Sequence, residues 1–220
     1  MDGMTNKVFT NMLQLFKSAL PKGAYLPLTY YEAQKMTTNL GFGYDKIEAC
    51  ANDCMLFWKE NSNLDECLIC HSKRSDTSTK VLCYFPVTTR LQRLYRSSKT
   101  AEDVTWHANK RVDDGVLSHP ANSKASKFLD ESYPSFAADS RNVRLGLATD
   151  DFNRFSGLRS DYSIRPVVLL PYNLTPWLRM KQPYSFLSLL IPGKGAPGNN
   201  INIYLQPLIE ELKVLWDVGL

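Results

Sequence analysis

Four of the chain's five cysteines fall within 21 positions, as Cys50, Cys54, Cys67 and Cys70, in the spacing C-x3-C-x12-C-x2-C. Two close pairs joined by a longer excursion suit a zinc ion, which takes four ligands tetrahedrally at about 2.3 Å per thiolate. Each short pair presents two sulfurs to one side of the ion, and the twelve-residue excursion is long enough to bring the second pair back. A closed set of four thiolates leaves no open coordination position, so it argues for a structural ion. The competing reading is four free or buried thiols. His71 adjoins the last cysteine and is a substitute ligand by position, although adjacent residues rarely both reach one metal. Cys83 stands apart in the apolar run VLCYF and reads as a small buried hydrophobe.

The rest of the composition sets the context for those cysteines. The first residues, MDGMTNKVFTNML, lack the basic start and long apolar core of a secretion signal. No stretch approaches the roughly 18 uninterrupted apolar residues of a membrane span. An intracellular, reducing home is therefore expected, where such cysteines serve as metal ligands or free thiols instead of disulfides. With 220 residues, 44% apolar and 22% charged, the chain has material for one ordinary core or two small ones. A net charge of +4 permits contact with nucleic acid without demanding it.

Hydrophobic periodicity predicts helices over Thr5–Leu20, about Tyr30–Asn39, Thr88–Ser97, Thr100–Lys110 and about Lys124–Glu131. Thr100 with Asp103 resembles an N-terminal capping pattern. SKRSDTSTK reads as a flexible connector, and VLCYF as a short strand. After residue 141 the pattern changes to three strand-like runs, VRLGLAT, RPVVLLPY and YSFLSLLI, with Pro171 marking an edge or bulge. Beyond the turn PGKGAPGNN, Leu205, Leu208, Ile209, Leu212, Leu215 and Trp216 fall on one helical stripe, with Pro207 expected in the first turn. The expected architecture is α+β. A helical region, 1–141, carries the zinc-binding unit at 50–74; a sheet of three antiparallel strands covered by one helix occupies 142–220.

Asp150 and Asp151 directly follow the run LGLAT. A carboxylate at a strand end is held at the sheet rim, where it can ligate a divalent ion. Two-metal phosphoryl transfer needs at least two further acids from elsewhere. On spacing alone, the better reading is that Asp150, Asp151 and Asn153 merely open a turn. Arg90, Arg93 and Arg96 recur at three-residue steps and form either a phosphate-contacting face or a solvated one. His107 and His119 read as packing or surface residues. No phosphate-cradling glycine loop, GxSxG elbow or HExxH helix is present.

The phrases NKVFTNMLQLFKSALPKGAYLP, YDKIEACANDCMLFWKE, CLIC, VLCYFPVTTRLQRLY, WHANKRVDDGVLSHPA, RNVRLGLATDDFNRF, YNLTPWL and PGNNINIYLQPLIEELKVLW resemble the plant CACTA-type (En/Spm) transposases in order and spacing. The likeness runs from about Thr5 to Trp216. It implies a cut-and-paste enzyme of the nucleus that binds transposon ends and cleaves and rejoins DNA. The fold it implies is ribonuclease-H-like, incomplete here, with three carboxylates holding Mg2+ or Mn2+. It assigns Cys50, Cys54, Cys67 and Cys70 to the family's cysteine motif and its zinc, and Asp150 to the first acid. Two departures stand out: Asp151 replaces the glycine of LATDGF, and CLICH replaces CPxCG, so His71 stands where a glycine eases the metal turn. The resemblance further implies a fragment lacking the second and third acids, inactive alone, whose other partners are the remaining transposase regions or further copies of itself. The alternative expectation is a repurposed, non-catalytic zinc-containing module that binds DNA or protein.

Overall fold

The computed structural model describes residues 5–21, 23–38, 43–75, 80–112, 116–150, 162–194 and 200–219. The chain divides into two compact units, 1–44 and 45–220. In the first, helices α1 (Asn6–Ala19) and α2 (Tyr30–Thr37) both begin on a threonine cap. The Thr5 hydroxyl accepts from the amide of Val8 and that of Thr29 from the amide of Glu32. The amide of Tyr30 donates to the Thr10 hydroxyl at 3.1 Å, and the Phe9 and Tyr30 rings meet edge-on at 5.7 Å.

The second unit runs β1 (Asp45–Ala49), β2 (Leu56–Phe57), β3 (Lys80–Tyr84), α3 (Thr88–Leu94), α4 (Ser98–Val104), α5 (Trp106–Asn109), α6 (Lys124–Ser132), α7 (Pro134–Ala138), β4 (Leu145–Thr149), β5 (Tyr162–Pro171), β6 (Phe186–Lys194) and α8 (Ile201–Asp217). Its strands form one sheet in the order β2-β1-β3-β6-β5-β4, with every neighbouring pair antiparallel. The three expected carboxy-terminal strands are therefore half of a six-stranded sheet. The other three come from the region expected to be helical. β1 and β2 escape a periodicity reading because β1 buries only Ile47 and Ala49 and β2 has two residues. β3, before residue 141, pairs with β6, after it, so strands from both sides of that position share the sheet.

One apolar cluster sits against this sheet. It takes Ile47 and Leu56 from the cysteine-flanking strands, Leu82 and Tyr84 from β3, and Leu91 and Leu94 from α3. Val167 and Leu169 of β5, Leu189 and Ile191 of β6, and Tyr204 and Leu208 of α8 complete its centre. The helix expected over Thr100–Lys110 is two short ones, α4 beginning at Ser98 and α5 following a break at Thr105. Helix α8 begins earlier than its apolar stripe, at Ile201, so Pro207 lies inside the helix and not in its first turn. Ile209 and Trp216 of the expected stripe are exposed, and Tyr204 and Pro207 are buried in their place. The register irregularity in β5 falls between Val167 and Val168, while Pro171 ends the strand opposite Leu145. Pro166 sits one residue beyond the reach of β4, where β5 has β6 as its paired neighbour.

Candidate metal centre

The loop between β1 and β2 closes tightly: the amide of Cys50 donates to the carbonyl of Met55 and that of Asp53 to the carbonyl of Cys50, both at 2.9 Å. Asp53 takes a left-handed backbone (φ +56°), a conformation that aspartate tolerates better than most residues. This turn aims the amide of Asn52 at the Cys50 sulfur, 3.4 Å away. The second pair sits on a hairpin-like turn in which the amides of Cys67 and His71 donate to the carbonyls of Ser72 and Cys67, each at 2.9 Å. His71 supplies the left-handed residue there, with φ +55°. The position where the resemblance places a glycine thus has the backbone that glycine adopts most readily.

These turns bring the four sulfurs of Cys50, Cys54, Cys67 and Cys70 within 4.8 Å of one another, with Cys50 and Cys70 at 3.4 Å. Zinc–sulfur bonds of about 2.3 Å arranged tetrahedrally separate the sulfurs by about 3.8 Å, so the donor set fits a zinc ion. No histidine or carboxylate joins the group, and the side chain of His71 is exposed. Cys50 and Cys67 are buried with Met55 and Phe57 in a cluster separate from the main core. Three of the four thiols are shifted, in opposite directions. Burial pushes the Cys50 thiol up, and burial together with Cys70 pushes Cys54 up to about 12. The Ser72 hydroxyl and amide and the Asn52 amide draw Cys70 down to about 5. Metal binding must displace the remaining protons, which couples occupancy to pH.

Charged groups tie the turns to the sheet. The Arg74 guanidinium donates to Glu48 of β1 and, at 2.9 Å, to the carbonyl of Ser62, while lying 4.9 Å from the Phe57 ring centre. Asp53 accepts from Lys80 of β3 at 2.7 Å and from the Tyr204 hydroxyl of α8. The site is therefore anchored on the last helix as well as on its own strands.

Asp150 is exposed and immediately follows Thr149, the last residue of β4, which pairs with Val167. Asp151 and Asn153 lie outside the described residues, as do parts of the SKRSDTSTK and PGKGAPGNN segments. The cysteines are the single group of three or more ligand-type side chains among the described residues. Asp150 alone does not make a two-metal centre. Arg90 points into the fold: it donates to the carbonyl of Leu187 at 2.6 Å and lies over Phe85, and burial lowers its basicity. Arg93 is half-buried and Arg96 exposed, so the three arginines do not make one solvated stripe.

Both internal histidines are buried and fully partnered. His107 faces the carbonyl of Val104 with Nδ1 and accepts from Arg144 with Nε2, 3.0 Å away. His119 faces the carbonyl of Leu174 with Nε2, at 2.9 Å, and accepts from the amide of Ala121 with Nδ1. Sequence reasoning missed the polar clamp that sets the start of β4. Asn173, fully buried, accepts from the amide of Arg144 at 2.6 Å and donates to the carbonyl of Asn142, and the Arg144 side chain binds Asp130. An asparagine directly after a strand was the available signal.

Residues 114–220, just under half the chain, match the model of transposase family tnp2. That match supports a transposase-derived protein. It covers β4 to β6, α8 and Asp150, and it begins beyond the four cysteines. No curated protein and no solved structure matches the chain.

Proposed function

We propose that this chain is part of a cut-and-paste DNA transposase of the CACTA type, acting on DNA in the nucleus. In this reading the sheet is the start of a ribonuclease-H-like nuclease and Asp150 is its first acid. The observation that carries the reading is the tnp2 match across β4, the strand that Asp150 directly follows, and its neighbours β5 and β6. The zinc has a structural part: it pins the turns around β1 and β2, and through Asp53 and Tyr204 the helix that packs on the sheet. Chemistry on phosphate would use Mg2+ or Mn2+, and one carboxylate does not organise two such ions.

The test is manganese titration of the isotope-labelled chain. Paramagnetic broadening centred on residues 149 and 150, and lost in Asp150→Asn, is expected; broadening elsewhere alone would remove Asp150 from the reading. The 220-residue chain by itself is expected to leave supercoiled DNA uncut in Mg2+. Nicking that disappears in Asp150→Ala would show a complete active site instead.

A second reading, a non-catalytic zinc module that binds DNA or protein, is favoured by one observation: the assembled ligand cluster is the cysteine one. DNA affinity that weakens with salt and on neutralising Arg90, Arg93 and Arg96 marks it. Arg96 is the most exposed of the three and should carry most of that loss.

A further inference from the structure

A separate surface, built from three segments far apart in sequence, has the composition of a nucleic-acid contact. Among the described residues, the segments 106–112, 116–127 and 172–181 contain Lys110, Arg111, Lys124, Lys127, Arg179 and Lys181 and no aspartate or glutamate; Asp113 and Asp114, between the first two, lie outside the described residues. The three segments touch one another. The His119 ring meets Trp106 edge-on at 5.1 Å and reaches the carbonyl of Leu174. The Arg111 guanidinium reaches the carbonyl of Ala121 and, at 3.1 Å, the Asn122 side chain. Trp177 packs edge-on against Trp106 at 6.2 Å, yet 63% of it remains exposed. Lys110 is held by Glu102 of α4, the acid that borders the surface.

Arg179, two residues on from Trp177, lines an open pocket of about 280 Å³ together with Ser118, His119, Ser123 and Tyr172. The buried Nε of Arg179 has no hydrogen-bond partner. The Ser123 oxygen accepts from the amide of Ser126 as the cap of α6, which leaves its proton free to donate. His119 gives this pocket a neutral floor, since both its nitrogens are engaged and burial, with Arg179 and Arg111 near, disfavours its charged form. The pocket thus has donors and positive charge and no acid to repel an anion. The exposed indole of Trp177, two residues from Arg179, offers a face on which a base can stack.

We infer that Trp177 and the Arg179 pocket hold one unpaired nucleotide of a DNA strand, with the base on the indole and the phosphate against Arg179 and the serine hydroxyls. The inference rests on the proposed function for the choice of DNA as the anion. Tyr172 lies over Gly146 at the start of β4. Gly146 lies four positions before Asp150 along the strand, about 13 Å at the usual rise.

The experiment measures binding of fluorescein-labelled oligothymidylate to the intact, zinc-loaded chain by anisotropy, with tryptophan fluorescence alongside. Trp177→Ala is expected to weaken binding about tenfold, with Trp177→Tyr restoring most of it. Arg179→Gln should reduce the salt slope by about 0.7, the value for one single-strand phosphate. Unchanged circular dichroism and thermal midpoints show that the variants fold. Affinity untouched by both substitutions overturns the inference, and so does equal competition by polyglutamate or by blunt duplex. The assay needs neither Mg2+ nor Asp150, so failure here leaves the manganese result standing, and failure there leaves this one.

Discussion

At the residue scale, His71 is where sequence and geometry meet most directly. A non-glycine residue in the left-handed region costs about 1–2 kcal/mol, and His71 bears that in the turn that carries Cys67 and Cys70. His71→Gly should therefore raise the stability of the zinc-loaded chain by about 1 kcal/mol, after the greater flexibility of glycine in the unfolded chain is deducted. Urea titration reads this, and a lower midpoint would mean that the imidazole has a role in the turn. The buried histidines give a second prediction. Burial lowers the proton affinity of His107, with Arg144 adding to it, and of His119. The unfolded chain then binds protons that the folded chain refuses. Their contribution to stability is complete above about pH 6.5 and is lost as pH falls through the lower folded values. The urea midpoint should drop between pH 7 and 5.5, and His107→Gln should flatten that drop. The Arg144–His107 contact is not legible in the sequence, because Arg144 lies 37 positions from His107 and only the fold joins them.

At the element scale, long periodic segments were readable and short ones were not. α1, α6 and α8 show a clear apolar face, whereas β1 and β2 are too short to show alternation. The start of α8 was misplaced because its first residues, Ile201 to Tyr204, precede the leucine stripe, which moved Pro207 from a harmless position to an interior one. That helix also does something no pattern announces. Glu211 accepts from the Tyr84 hydroxyl at 2.6 Å, from the amides of Val87 and Thr88, and from the Thr88 hydroxyl. One carboxylate on α8 thus closes the start of α3 and the end of β3. Glu211→Ala strands several of these donors, so the chain should lose about 2–3 kcal/mol. Glu210→Ala is the control, since among the described residues Glu210 pairs with the exposed Lys59, and should cost less than about 1 kcal/mol. Equal losses for the two would remove the capping role of Glu211.

At the scale of the whole molecule, the cysteine spacing announced a metal centre, and the four sulfurs do converge. What the spacing did not reveal is that this centre sits at one border of a continuous sheet whose other border ends in Asp150. Cys50 directly follows β1, Met55 directly precedes β2, and Asp53 between them binds both β3 and α8. Without an ion, the two buried cysteines, Cys50 and Cys67, rest on a small cluster of Met55, Phe57 and the partly buried Leu64. The cost should therefore spread along β1 and β3 before it reaches β5. Hydrogen exchange on chelator-treated protein should show protection lost first at residues 45–57 and 67–74, next at β3, and least at the β5–β6 pair, which is the longest in the sheet. Cys67→Ser should reproduce the pattern and bind no zinc, against one ion per unaltered chain. If β5 and β6 opened together with residues 45–57, the sheet would be a single cooperative unit, and zinc would govern the presentation of Asp150 as directly as it governs its own turns.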